Sequence, residues 1–223
     1  MRYPPGHKEE KRKELLKAGG TLVKNRGFAA SGVDALTEAA GVTSGAFYSH
    51  FASKNDLLKA LIENELQTSR EMWAGNPHES AEDWIGYELD RYLSMSHVRH
   101  PGAGCVLPAL GAEIARAGEE IRQAYAKELA KGIEVLTQRL GDKELAWAFL
   151  CQMVGAILMA RTMPDQKTQR AVLESSKRFL QAAISQMAGK TNVGQPGNAG
   201  GTIGNTRAAR ATGAARKIVP HAK

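Results

Sequence analysis

Apolar side chains recur along this chain with the spacing of helices. Positions three and four apart share one face of a helix, and that rule is followed by Leu15, Ala18, Leu22 and Val23. They predict a first helix over residues 8–26, which Gly27 would end. Similar stripes continue through most of the chain, and no alternating strand pattern recurs. The pattern therefore predicts an all-α protein of about nine helices.

Two short helices joined by a tight turn are predicted over residues 33–51. Gly41 would make the turn, because glycine adopts positive φ at little cost. Ser31, with Asp34 three residues later, is predicted to cap the first helix, and Thr43 to cap the second. This layout is typical of a helix-turn-helix that reads DNA.

The second of these helices would bury Phe47 and Phe51, which are one turn apart. Its outer face then carries small and polar side chains, which suit close approach to a DNA groove and its phosphates. Lys54, at the start of the next helix, would add a cation. We predict that the DNA-binding residues are Thr43, Ser44, Gly45, Ala46, Tyr48, Ser49, His50 and Lys54.

The run from Ala39 to Leu58 resembles the signature of TetR-type (TetR/AcrR) transcriptional regulators, roughly AAGVxxGxxYxHFxxKxxL, and every fixed position is present. The resemblance is specific over about residues 9–69 and architectural to about residue 189. It implies a homodimer that binds a palindromic operator in double-stranded DNA and responds to an unknown small-molecule effector. Many members carry Lys or Arg where this chain has Ser44, so one cation fewer would face the groove.

The same resemblance implies a division of the chain into domains. Residues 9–69 would form the helix-turn-helix DNA-binding domain. Residues 70–189 would form a larger helical domain for effector binding and dimerisation. Repression, rather than activation, is the family tendency.

Charge is unevenly distributed over the chain, whose net charge is +7. Residues 1–54 hold nine Lys/Arg against five Asp/Glu, whereas residues 55–189 hold fifteen against eighteen. A basic first part and a mildly acidic middle suit a protein that binds nucleic acid with one end. Residues 190–223 hold six Lys/Arg and no acid, and their Gly, Asn, Thr and Ala predict a disordered basic tail. The tail either adds non-specific DNA attraction or has no function.

The hydropathy of the chain indicates in which compartment of the cell the protein is found. No apolar run reaches the ~20 residues of a membrane span, and the first residues do not resemble a signal peptide. The two cysteines lie far apart and predict no disulfide framework. We therefore expect a cytoplasmic protein with no membrane contact.

Residues 84–95 are apolar over a wide arc, which indicates either plain core packing or the wall of a ligand pocket. Sequence does not separate the two. The residues assigned to a pocket are Trp84, Tyr87, Tyr92, Met95 and Cys105.

Cysteine and histidine raise two further questions. The spacing of His97, His100 and Cys105 matches no usual zinc pattern, so we predict no metal and no other cofactor. Cys105 follows Gly104 at a predicted helix N-terminus, which would lower its pKa and favour a reactive thiolate. Around Cys105 the chain also resembles TetR-type repressors that sense electrophiles or oxidants through a matching cysteine. A buried, inert thiol is the alternative, and Cys151 is predicted to be one.

Two late helices carry the predicted dimer interface. Residues 145–160 are apolar nearly all round, which indicates a helix buried against its own domain on one side and against a partner on the other. With the last helix, over about 167–187, this helix would form a two-fold four-helix interface. Its assigned residues are Phe149, Met153, Ile157, Phe179, Leu180 and Ile184.

Catalytic motifs such as GxSxG or a glycine-rich phosphate loop are missing, so we predict that the chain is not an enzyme. The predicted function is sequence-specific regulation of transcription, most simply as a repressor released by a small molecule. The alternatives are a thiol-based sensor acting through Cys105 and a structural DNA-binding protein without ligand control. The sequence does not specify the effector, the operator or the regulated genes.

Overall fold

A computed structural model of the chain describes residues 7–192. Every regular element in that range is helical, which confirms the all-α prediction. The helices are α1 His7–Arg26, α2 Val33–Ala39, α3 Ser44–His50, α4 Lys54–Ala74, α5 Ala81–Tyr92, α6 Met95–Arg99, α7 Leu107–Arg116, α8 Glu119–Leu140, α9 Lys143–Thr162 and α10 Gln166–Asn192, with a 3₁₀ turn at Pro101–Ala103. The predicted basic tail lies outside the described residues from position 193 onward.

The first three helices pack with the beginning of α4 into a unit that we call the head. Its centre is formed by buried apolar side chains from all four helices: Leu15, Leu36, Phe47, Phe51, Leu57 and Leu61. Two glycines with positive φ, Gly27 at 86° and Gly41 at 63°, end α1 and turn the chain from α2 towards α3.

One capping prediction in the head is wrong. The residue that precedes α2 is Gly32, which has no side chain to cap it. Ser31 instead turns inward, and its buried hydroxyl donates a hydrogen bond of 2.7 Å to the carbonyl of Gly27. The hydroxyl that was predicted to cap α2 is thus used in the turn after α1.

The later helices, together with the rest of α4, form a second unit that we call the body. In the body α4 packs along α8, α9 packs between α8 and α10, and α5 lies against α10. Its largest fully buried side chains include Trp84, Leu110, Ile133, Leu136 and Phe149. The domain boundary predicted at residues 69 and 70 falls inside α4, which runs without a break from the head into the body.

The wide apolar arc of residues 84–95 is divided between two helices. The helix α5 ends at Tyr92, and the Ser94 hydroxyl accepts a hydrogen bond from the backbone N–H of His97 to begin α6. This five-residue helix accounts for the ten α-helices of residues 7–192, where about nine were predicted.

By length and composition α9 could cross a membrane, with a mean hydropathy of 1.5 over its most apolar window. Core helices of globular proteins satisfy the same criterion. In this fold α9 packs against α7, α8 and α10, and eight of its residues are buried within the chain. We therefore interpret α9 as a core helix of the body.

Head and body touch most closely where the end of α1 meets the 3₁₀ turn. The Asn25 side-chain oxygen accepts a hydrogen bond of 2.9 Å from the backbone N–H of Gly102. A Cβ at Gly102 would lie within about 3 Å of Asn25 and Thr21, so only glycine fits without displacement. Lys24 donates to the carbonyl of Gly104 at 3.1 Å. The head is therefore joined to the body by α1 as well as by α4.

Candidate nucleic-acid interface and body cavity

Local capping and packing fix the position of α3. The Thr43 hydroxyl accepts a hydrogen bond of 3.2 Å from the backbone N–H of Ala46, as the sequence predicted. Phe47 is completely buried, and Phe51 lies beside it with ring centroids 5.8 Å apart. With this side of α3 held in the head core, its opposite side faces outward.

The outward side of α3 carries the residues that the sequence assigned to DNA. Thr43, Ser44, Gly45 and Ser49 are exposed, and the side chain of Tyr48 is 57% exposed. Ala46 and His50 are half-buried at the edges of this face. The result is a slim, projecting helix surface without bulky apolar groups at its centre.

Basic residues of α1 extend this surface. Burial and the nearby cations Lys8 and Arg12 lower the pKa of His50, and the Nδ1 atom of His50 is buried without a partner among the described residues. The Arg12 guanidinium lies 5.1 Å from the centroid of the Phe51 ring. Lys8 and Arg12 were not predicted individually as DNA-binding residues, although they belong to the basic first part of the chain.

Lys54 takes a different position from the one predicted. Its ammonium donates a hydrogen bond of 2.6 Å to the carbonyl of Phe28 and lies 4.2 Å from the centroid of the Phe28 ring. A longer contact of 3.5 Å reaches the carbonyl of Ala29. The side chain therefore stabilises the turn between α1 and α2, and the structure does not support a free cation for DNA at Lys54.

An open cavity of about 380 Å³ lies in the body, mainly among α4, α6, the start of α7 and α8, and is also lined by residues of α1, α5 and α9. Tyr92 and Cys105 line it, as predicted. The other assigned pocket residues do not. Trp84 is fully buried, with its indole N–H 3.4 Å from the carbonyl of Trp73, and Tyr87 lies exposed beside His78. Met95 packs against the body core.

That grouping failed because Trp84 is buried in the body core and Tyr87 is exposed, while Met95 belongs to α6. The cavity is instead lined largely by side chains that the sequence did not single out. Its apolar members are Leu66, Met72, Trp73, Leu107, Leu129 and Leu150.

Charged side chains at the cavity wall are paired with one another. Lys24 and Glu65 are 2.8 Å apart, Arg70 and Glu128 are also 2.8 Å apart, and Arg91 pairs with Glu88. Burial lowers the pKa of His97 to about 4, so its imidazole is neutral at pH 7. The wall therefore presents apolar groups and neutral polar groups, with its charges already compensated.

Cys105 lies in this wall just before α7, and its pKa departs from the predicted direction. Burial raises the pKa of the thiol, although the backbone N–H of Leu107, 3.5 Å from Sγ, and the neighbouring Tyr92 hydroxyl oppose the rise. The predicted helix-terminus activation is therefore outweighed by desolvation. Cys151, predicted to be buried, is exposed on α9.

The predicted dimer residues lie on two opposite sides of α9 and α10. Phe149, Met153, Ile157 and Leu180 are buried within the chain itself, so these four are unavailable to a partner. Ile184 is half-buried and Phe179 is 62% exposed. The exposed apolar face of α9 carries Trp147, Leu158 and Met159 instead. Because α9 is apolar all round, hydropathy did not indicate which side faced the core.

Comparison with known proteins gives a consistent result. The family model described as bacterial regulatory proteins of the tetR family matches residues 15–61. The transcriptional repressor NemR of Escherichia coli K12 is 29% identical over 139 residues, which cover 58% of this chain and 66% of NemR. The match thus spans just under two thirds of that relative.

Solved structures agree in fold. The reduced form of E. coli NemR superimposes with a TM-score of 0.65 at 24% identity, over 77% of this chain and 95% of that one. A TetR-family regulator from Agrobacterium tumefaciens gives 0.67 at 18% identity, over 78% and 98%. FadR of Bacillus subtilis, solved with stearoyl-CoA, gives 0.62 at 16% identity, over 75% and 96%.

A helix-turn-helix that projects from a helical body is the fold that this chain shares with these solved structures. Its relatives are transcriptional regulators. Within the chain, the segment that matches the tetR family model, residues 15–61, begins in α1, contains the whole helix-turn-helix and ends in α4.

Proposed function

We propose that the chain is a homodimeric repressor that releases its operator when a small molecule fills the body cavity. The observation that carries the proposal is the outward face of α3, which is small and polar while Phe47 anchors the other side of the helix in the head core. In a dimer, two such helices about 34 Å apart would fit successive major grooves of a palindromic site.

The DNA contacts would divide between the edges and the centre of that face. Tyr48 and His50 would donate to phosphates, with Lys8 and Arg12 adding charge from α1. Gly45 and Ala46 would let the helix backbone come close to the base edges. Specificity would then depend on close fit more than on long cationic side chains, which agrees with Ser44 where many relatives carry a cation.

Exposed apolar side chains support dimerisation through α9 and α10. Trp147, Leu158 and Met159 on α9 and Phe179 on α10 are each at least 40% exposed. Large apolar groups clustered on one surface mark interaction sites in proteins. A two-fold packing of the α9–α10 pair would bury them and place both heads on one side of the dimer.

The proposed effector is small, largely apolar and uncharged. The cavity of about 380 Å³ is within the usual size for small-molecule sites. A charged ligand would have to disrupt an existing ion pair such as Lys24–Glu65, because the wall has no free charge to offer it. A neutral ligand can be held by the apolar wall, because both ring nitrogens of His97 are already bonded, to the Tyr92 carbonyl and the Cys105 N–H.

The proposal is tested by selecting bound duplexes from random DNA with the purified protein. We expect two inverted half-sites, and a binding constant that falls with added salt as phosphate contacts are screened. Exchanging both Tyr48 and His50 for Ala should weaken binding to the selected duplex by about 10- to 100-fold, as each removes a positioning contact. Thermal unfolding should stay near that of the parent protein, because neither side chain belongs to the head core.

A second candidate is a thiol-based sensor acting through Cys105, which is favoured by the position of Cys105 in the cavity wall. The raised pKa of the thiol predicts slow reaction with electrophiles at neutral pH. Cys105→Ser separates the two candidates, with Cys151→Ser as the control for the exposed thiol. A variant that still releases DNA in response to every oxidant and electrophile tested would remove the thiol mechanism.

A structural DNA-binding protein without ligand control is the remaining alternative. Such a protein would enrich no common sequence in the selection, and its affinity for random duplexes would equal its affinity for the selected ones.

A further inference from the structure

Side chains of opposite charge hold the turn between α1 and α2 from two directions. The carboxylate of Glu113, on α7 of the body, accepts hydrogen bonds of 2.8 Å from the backbone N–H groups of both Phe28 and Ala29. The ammonium of Lys54, on α4, contacts the carbonyls of the same two residues at 2.6 and 3.5 Å. Both peptide donors and both acceptors of this dipeptide are therefore bonded to side chains.

The geometry of this turn decides how α3 is presented. Lys24 and Asn25 attach the end of α1 to the body, and the chain then leaves α1 through Gly27, whose φ of 86° favours glycine. Since α2 and α3 follow directly, a small rotation in the turn would tilt the outward face of α3 relative to the body. Glu113 fixes that rotation with two separate bonds, one from each carboxylate oxygen.

Glu113 has no ion-pair partner in the part of the chain that the structure describes. Its charge is matched by the two N–H groups, and hydrogen bonds to an ionised acceptor are stronger than neutral ones. It also lies on the helix that begins two residues after Cys105, at the cavity wall. A shift of α7 caused by cavity filling would therefore reach the turn directly.

We propose that Glu113 is a positioning residue for DNA binding: its carboxylate carries the orientation of α7 to the α1–α2 turn and so sets the tilt of α3. The proposal rests on the proposed DNA-binding function. The α7 contact is thus a second connection between body and head, in addition to α4, which runs without a break from one to the other.

Glu113→Gln is the decisive variant, because glutamine has the same size but only one acceptor oxygen. Its NH₂ group would face a backbone N–H, so one of the two bonds is lost. We expect affinity for the duplex selected from random DNA to fall about tenfold. Amide hydrogen exchange at residues 28 and 29 should become faster, while the melting temperature changes little. Glu113→Asp keeps both oxygens and should recover part of the affinity.

Glu120→Gln is the matched control. Glu120 also joins the body to α4, through an exposed pair with Lys59 at 2.9 Å, but it does not contact the turn. Both substitutions remove one negative charge, which by electrostatics alone would strengthen DNA binding. Weaker binding in Glu113→Gln with unchanged or stronger binding in Glu120→Gln therefore supports positioning.

The opposite results would overturn the proposal. Unchanged DNA affinity in Glu113→Gln, despite faster exchange at residues 28 and 29, would show that the bonds form without positioning α3. Equal losses in the two variants would show that the effect is not specific to the turn, and equal gains would assign it to charge. If Glu113→Gln unfolds, Glu113→Asp provides the comparison, and full loss of affinity in that folded variant also contradicts the proposal. If the parent protein selects no sequence, the proposed function fails, while the exchange measurement still reports on the contact.

Discussion

The outer faces of α3 and α9 differ in how clearly the sequence identifies them. On α3 the contrast between phenylalanine and small polar residues assigns one side to the core and the other to solvent, and the structure follows that assignment. On α9 both sides are apolar, and the predicted interface included residues that the chain buries in its own core. Periodicity locates a buried face only where the opposite face is polar.

The largest expected effect concerns the side of α9 and α10 that is buried in the core, compared with the side that is exposed. Phe149→Ala should lower the free energy of unfolding by about 3–5 kcal/mol at every protein concentration, because it opens a cavity in the body core. Phe179→Ala should change only the concentration-dependent part of stability. Urea unfolding at several protein concentrations measures both. If Phe179→Ala caused a large loss of stability that did not depend on protein concentration, Phe179 would belong to the core of the single chain and not to a dimer interface.

A pH titration distinguishes His97 of the body from His50 of the head, because burial lowers the pKa of His97 to about 4. The pKa of His97 is lowered to about 4 in the folded protein, so the unfolded chain binds more protons between pH 4 and 6.5. Stability should therefore be complete above pH 6.5 and fall, by up to about 3 kcal/mol, as pH decreases towards 4. His97→Gln should flatten this dependence in chemical unfolding, whereas His50→Gln should change it less. Equal flattening in both variants would contradict the assignment.

The exposed apolar face of α9 makes a prediction about assembly. Leu158→Glu places an unpaired charge in the proposed interface and should raise the dimer dissociation constant by about 100-fold. Its secondary structure should remain, because Leu158 is 48% exposed in the single chain. Analytical ultracentrifugation gives the dissociation constant, with Glu144→Gln as a surface control on the same helix. An unchanged dimer would place the interface elsewhere.

The smallest expected effect concerns the cap of α3. Thr43→Ala should lower the free energy of unfolding by about 1 kcal/mol, since it leaves the N–H of Ala46 without its acceptor. Ser44→Ala, one residue later and exposed, should cost less than half of that. Thermal unfolding of the two variants, side by side, checks whether local capping is as important in the head as the geometry indicates.

Local signals were therefore enough to predict the head. Gly27 and Gly41 turn the chain where expected, Thr43 caps α3, and Phe47 is buried. The Ser31 cap failed because α2 begins at Val33, so that Gly32 occupies the cap position and the Ser31 hydroxyl donates to the Gly27 carbonyl. Lys54 failed for a similar reason, since its acceptors belong to a turn about 25 residues earlier in the sequence.

In the body the decisive contacts are between distant residues. The cavity wall joins residues from Lys24 to Leu150, and no single stretch of sequence contains its pattern. Desolvation of Cys105 likewise depends on how several helices close around it, so a rule based on the nearest helix terminus gave the wrong direction. The sequence drew attention to Glu113 only through Ala112-Glu113 in the resemblance around Cys105, and its bonds to the N–H groups of Phe28 and Ala29 are too distant in sequence for any local pattern to predict.

The tight fit of Gly102 against Thr21 and Asn25 has a consequence for protein engineering. Chimeric regulators can be made by joining the DNA-binding part of one protein to the ligand-binding part of another. A graft cut only within α4 would separate two surfaces shaped for each other, and any side chain other than hydrogen at position 102 would push the foreign α1 away. Chimeras should therefore inherit residues 21–25 and 102 from the same parent.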